Sequence, residues 1–312
     1  MDCMLLDELI HQGLIKEAAS LLASRRVSDS VELLERLDWS KGRALFLHLC
    51  GEDARHATLA LTALRAPRSL QLWCELLLRS VESDRWRSVE AALNKELESL
   101  SSHIVERACR SAYTIFAKGK TSIEHCISVD CETGFRVSAS TTSFPDATAA
   151  RKTEHISFND QPLSYRVELG EEEAITASFA EKQVAWRVKI AGGVIEKSIT
   201  LSDDVSILDN FVWHHFGLLL ERSGRAQSDH QRLSAFVPST GREVVADLRY
   251  CGRRQIKPDL IKTADYYQVT LADKVLVELW ADEKKRPLII QVESQGLYAV
   301  SDNLQSLSPG LT

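Results

Sequence analysis

The chain has 312 residues, 44% of them hydrophobic and 26% charged, with a net charge of −6. That length and composition suggest about two soluble globular domains and exclude a disordered or fibrous chain. The acidic balance argues against a surface built for nucleic acid or anionic lipid, and no apolar run approaches the ~20 residues of a membrane span.

The first residues, MDCMLLDELIHQGLIKEAASLL, place Asp2, Asp7 and Glu8 where a secretory signal needs a basic stretch and an unbroken apolar one. A cytoplasmic setting is therefore expected. The seven cysteines are odd in number and form no CxxC pair, so buried reduced thiols are expected rather than a disulfide framework or a zinc site. Composition switches once, near Gly119. Residues 1–119 hold 23 Leu against 9 Val plus Ile, whereas residues 120–312 hold 18 Leu against 28 Val plus Ile. Straight-chain apolar residues suit helices and β-branched ones suit a pleated surface, so a helical part precedes a β-rich part.

Within 1–119, LIHQGLIKEAASLL (9–22) reads as a helix end, a turn at Gly13 and a second helix with small residues at Ala18 and Ala19. The same order of apolar helix, polar turn and alanine-bearing helix recurs around Gly51 with Ala57 and Ala60, and around Ser83 and Asp84 with Ala91 and Ala92. This loosely resembles tetratricopeptide-like or HEAT-like arrays, and a compact helical bundle is the alternative. The array resemblance implies a surface for a protein partner, to which Arg25 and Arg26, or Trp39 and Trp73, could contribute; they could equally cap helices and fill core.

From Ser122 the period becomes two. QVAWRVKI (183–190) alternates Val184, Trp186, Val188 and Ile190 with Ala185, Arg187 and Lys189, and the turn Ala191, Gly192 and Gly193 leads into VIEKSITL (194–201). Further strands are expected at 124–129, 135–144, 163–169, 174–179, 242–250, 266–272, 274–281 and 287–294, joined as an antiparallel meander by short polar links. One helix interrupts them. In ILDNFVWHHFGLLLERSG (207–224), Leu208, Phe211, Val212, His215, Phe216, Leu219 and Leu220 share a stripe that Gly224 ends. The expected fold class is α+β: helical hairpins over 1–119, then over 120–303 a curved antiparallel half-barrel packed on a helix near 207–222, then a flexible tail at 304–312.

The phrases ILDNFVWHHFGLLLER and VELWADEKKRPLIIQVESQGLYAV (277–300) resemble a group of uncharacterised bacterial half-barrel proteins, similar in shape to the lipoprotein-localisation factors. The resemblance implies a cavity between helix and sheet in which an apolar ligand sits.

Catalytic signatures are absent from the sequence. His214 and His215 point about 100° apart on a helix and no HExxH surrounds them. Asp209 is expected in the first helical turn, complementing the dipole, and His215 is expected as a hydrogen-bonded core histidine. His125 and Cys126 are strand neighbours facing opposite ways. The basic groups Arg249, Arg253, Arg254 and Lys257, and Lys284, Lys285 and Arg286, read as solvated turns, and Glu171, Glu172 and Glu173 as a loop. No cofactor or metal is expected. Two functions remain. The first is a non-enzymatic binding or adaptor protein, with a protein partner on the helical part and an apolar ligand or peptide segment held by Trp186, Phe211, His215, Phe216 and Trp280. The second is an enzyme with a site at the junction of the two parts, using His155, Asp209, His214 or His230.

Overall fold

A computed structural model of the chain describes residues 2–99, 108–145, 147–170, 172–223, 229–257, 260–272 and 275–305. It divides into two compact units, Met1–Cys109 with Ile127–Val137, and Arg110–Cys126 with Ser138–Thr312.

The first unit holds α1 (Asp2–His11), α2 (Ile15–Ala23), α3 (Val27–Arg36), α4 (Trp39–Glu52), α5 (Ala54–Ala63), α6 (Arg68–Glu82) and α7 (Asp84–Ser99). Gly13, at φ +79°, ends α1: its N–H reaches Ile10 O while Leu14 N reaches Leu9 O, the paired bonds of a left-handed C-cap. Gly51 lies inside α4, not in a turn, because Asp53 makes the break by accepting from His56 N at the start of α5. Each helix from α2 to α5 also packs on the next but one, α2 on α4, α3 on α5, α4 on α6 and α5 on α7. Trp73 is core, at 1% exposure, and Trp39 lies under the guanidinium groups of Arg43 and Arg68.

The strands are β1 (Ala108–Ala117), β2 (Lys120–Asp130), β3 (Phe135–Ser143), β4 (Arg151–Phe158), β5 (Gln161–Leu169), β6 (Glu172–Ala180), β7 (Gln183–Ile190), β8 (Gly193–Thr200), β9 (Ser206–Ile207), β10 (His230–Val237), β11 (Arg242–Lys257), β12 (Leu260–Leu271), β13 (Val275–Ala281), β14 (Pro287–Val292) and β15 (Leu297–Ser301). They form one open sheet in the order β8-β7-β6-β5-β4-β3-β2-β1-β15-β14-β13-β12-β11-β10-β9. The meander is antiparallel except for β9, which pairs parallel with β10. Strand begins at Ala108, before the change of composition near Gly119, because ACRSAYTIFA turns Tyr113 and Ile115 into the core of the sheet rather than forming a last helix.

The helix expected near 207–222 is shorter. α8 runs His214–Ser223; Ser206 and Ile207 are strand, and 208–213 is an irregular turn. Its stripe of Phe216, Leu219 and Leu220 packs with Tyr113, Ile115, Val269, Val277, Leu279 and Ile290 from the concave face of the sheet. A second cluster joins the sheet's two halves, Tyr165, Val167 and Val184 meeting Val205, Ile207 and Phe236. Trp186 belongs there: its indole N–H donates to Pro238 O at 2.7 Å, and its ring lies so close to Gly241 that a Cβ on that glycine would sit 2.8 Å from Cε2. α9 (Asp302–Gln305) follows β15. The stop expected at Gly224, Glu171 of the acidic run, and the tail beyond 305 lie outside the described residues.

Candidate functional site

The turn 208–213 is held by two buried carboxylates that belong to opposite sides of it. Glu124, on β2 and fully buried, accepts from Trp213 N at 2.9 Å through Oε2 and from His214 Nδ1 at 2.9 Å through Oε1. A carboxylate at that point complements the N-terminus of α8. Glu124, from far along the chain, therefore does what the sequence assigned to Asp209.

Asp209 instead lies outside the helix and anchors the turn from below. Its Oδ2 accepts from Arg151 Nη2 at 2.5 Å and Tyr165 OH at 2.7 Å, and its Oδ1 from Ser239 N at 2.8 Å. Arg151 also donates from Nη1 to Asn210 O. Asp209 N–H donates to His215 Nδ1 at 3.0 Å, which fixes the hydrogen of a neutral imidazole on Nε2. Burial, reinforced by His214, His155 and Arg151, holds His215 well below the usual histidine range. Burial and the Asp209 carboxylate push the Tyr165 phenol well above its usual range, so it remains a donor. His155 completes the group, its ring 6.2 Å from that of His215.

Arg151, Thr153 and His155 alternate along β4 with their side chains buried, so this part of the half-barrel is lined with polar groups where a strand would ordinarily turn apolar ones inward. The bonds to Glu124 and Asp209 fix the turn that they grip, although Nε2 of His214 and Nε2 of His215 are buried without a hydrogen-bond partner among the described residues. That turn is strained: Phe211 sits at φ +60°, a left-handed conformation that costs a bulky residue roughly 1–3 kcal/mol. The residue is 54% exposed, contrary to the buried stripe expected for it, because the left-handed turn takes it off the helix register.

Beside the turn lies a cavity of about 470 Å³. It opens at the end of the half-barrel that carries the β10–β11 and β14–β15 turns, beside Ala272 and Val275. Val244, Leu271, Val275, Val277 and Val292 of the sheet form one wall, and Trp213 and Phe216 the other. Asn210, Thr240, Arg242 and Gln295 give it a polar rim. Trp213 Nε1 is buried and without a hydrogen-bond partner among the described residues. The volume falls within the ~300–1,000 Å³ typical of ligand sites, and barrel mouths are a common location for them.

Of the residues expected to hold a ligand, Phe211 and Phe216 line this cavity, and His215 lies behind it in the polar network. Trp186 does not reach it, being the clasp between sheet halves. Nor does Trp280: on β13 the odd positions Val277 and Leu279 face the helix, so Trp280 faces the other way, with Leu288 and Ile289. His214 and Asp209 join the network, whereas His230 is exposed and paired with Asp247 at 2.5 Å. The acidic run does not converge, since Glu172 pairs with Lys189 and Glu173 with Arg187. No group of three metal-ligating side chains occurs among the described residues. Of the basic groups, Arg249, Arg253, Arg254 and Lys257 lie on β11 rather than in the expected turn, with Arg253 beside Glu283, whereas Lys285 pairs with Asp265 and Arg286 with Asp282.

No family model matches the chain, and no curated protein matches its sequence. Among solved structures it is similar to a beta-barrel-like protein of domain of unknown function DUF1849 from Brucella abortus, with a TM-score of 0.42 and 9% identity over 62% of this chain and 95% of that one. No helix among the described residues is long and apolar enough to cross a membrane.

Proposed function

We propose that the protein is a non-enzymatic binding protein whose β unit holds an apolar ligand in the cavity beside α8. The observation that carries this reading is the coincidence of an apolar cavity of about 470 Å³ with an exposed Phe211 held in a strained conformation at its edge. An aromatic ring kept in the solvent by two buried carboxylates is arranged to cover something that enters. The likeness to lipoprotein-localisation factors read from 207–222 and 277–300 is part of the same proposal and concerns the shape of a cavity, not a cargo. In this reading the helical unit takes a protein partner, supported by packing in which each helix from α2 to α5 contacts the next but one, as in stacked helical hairpins. A cytoplasmic setting belongs to it too, supported by Cys50, Cys74, Cys109, Cys126, Cys131 and Cys251, which form no disulfide among the described residues.

The test is titration with the neutral fluorescent probe N-phenyl-1-naphthylamine. Saturable binding at one probe per chain is expected, abolished by Val275→Phe, which fills the cavity from a half-buried position without touching the network. Equal binding by that variant, with unchanged circular dichroism, would overturn the reading.

A further inference from the structure

Resting on that reading, we infer that the ligand is an amphiphile with an anionic head, its apolar chain in the cavity and its head against Arg242. The cavity wall carries two formal charges, Asp209 and Arg242. Asp209 is already neutralised by the buried Arg151 and by two further donors. Arg242 is different. It opens β11 at the rim, is exposed, and makes no ion pair or side-chain hydrogen bond among the described residues, although the chain as a whole is acidic and two cations of the β13–β14 turn, Lys285 and Arg286, are paired with Asp265 and Asp282.

The neighbouring acid does not compensate it. Glu243 is one residue away on the strand and so faces the opposite side, where it accepts from Ser202 N at 2.9 Å. Gln295, also exposed on the rim, adds an amide donor with no hydrogen bond among the described residues. A guanidinium fork beside an amide donor matches the geometry of a carboxylate or phosphate oxygen pair. Below them the walls are Val244, Leu271, Val277 and Val292. The volume of about 470 Å³ corresponds to roughly sixteen groups of about 30 Å³ each, the size of a water or a methylene, so a chain of about ten carbons fits with room for its turn at the mouth.

The experiment displaces N-phenyl-1-naphthylamine with decanoate, decanol and decylammonium, in the wild-type full chain and in Arg242→Gln, at low and high salt. Because Arg242 is exposed, its preference is modest: decanoate should bind about fivefold more tightly than decanol at low salt, and the advantage should shrink at high salt. In Arg242→Gln the two should bind alike, with decanol unchanged from the wild type. Equal binding of decanoate and decanol to the wild type, a preference for decylammonium, or a decanoate preference that survives Arg242→Gln would overturn the anionic-head inference while leaving the apolar cavity standing. Failure of the probe and of all three chains to bind would overturn both.

Discussion

Removing the Asp209 carboxylate tests the network that shapes the site. Asp209→Ala leaves Arg151 charged at 10% side-chain exposure and strips the acceptor from Tyr165 OH and Ser239 N. Breaking a buried ion pair by deleting one partner costs about 3–5 kcal/mol, mostly through the charge left behind. Because the chain has two units, global unfolding is a poor readout, and amide hydrogen exchange over 208–216 and at Ser239 reads the effect locally. At about 1.4 kcal/mol per tenfold, protection there should fall by roughly a hundredfold or more. The double variant Arg151→Met with Asp209→Leu should recover much of it, since no orphan charge remains. Unchanged protection in the single variant, or a double variant no better than the single, would refute the role given to this pair.

The two phenylalanines flanking the start of α8 should behave oppositely. Phe216, buried on the helix stripe, should cost about 3–5 kcal/mol when changed to Ala, read from the denaturation midpoint of the β unit. At Phe211 the informative comparison is between Gly and Ala: with φ +60°, Phe211→Gly should be more stable than Phe211→Ala by about 1 kcal/mol, whereas in a helical turn Ala would win by about 0.5–1 kcal/mol. The pH dependence follows from His215, whose folded pKa lies well below its unfolded value near 6.5. Below that unfolded value the unfolded chain binds the extra proton, so stability is full above about pH 6.5 and declines as pH falls, by up to about 1.4 kcal/mol per unit for this one group. His215→Gln should flatten that slope in thermal melts between pH 7 and 5; an unaltered slope would assign it elsewhere.

Much of the fold is legible in the sequence because period-two alternation survives wherever one strand face is apolar, as in QVAWRVKI and KVLVELWA. β4 escapes that reading for a physical reason: its buried side chains include Arg151, Thr153 and His155, so hydrophobicity carries no signal there. Polar residues alternating between two clear strands were nonetheless a trace of a polar-lined interior. The stripe of Phe216, Leu219 and Leu220 is read from spacing alone, but the six residues ahead of it are not. Their conformation is set by Glu124, Arg151 and Tyr165, brought from distant strands, and nothing in LDNFVW itself demands a left-handed Phe211. Trp186 and Trp280 mislead in the same way: alternation gives the face each occupies but not which of two cores lies under it.

The most direct check on a preformed apolar cavity beside α8 is fluorescence quenching by a brominated alkane such as bromohexane, compared between the wild type and Trp213→Phe. Since Trp213 forms part of the wall, quenching should saturate at one molecule per chain and the saturable component should vanish in the variant. Quenching that rises without saturation, or that persists unchanged once Trp213 is replaced, would contradict it.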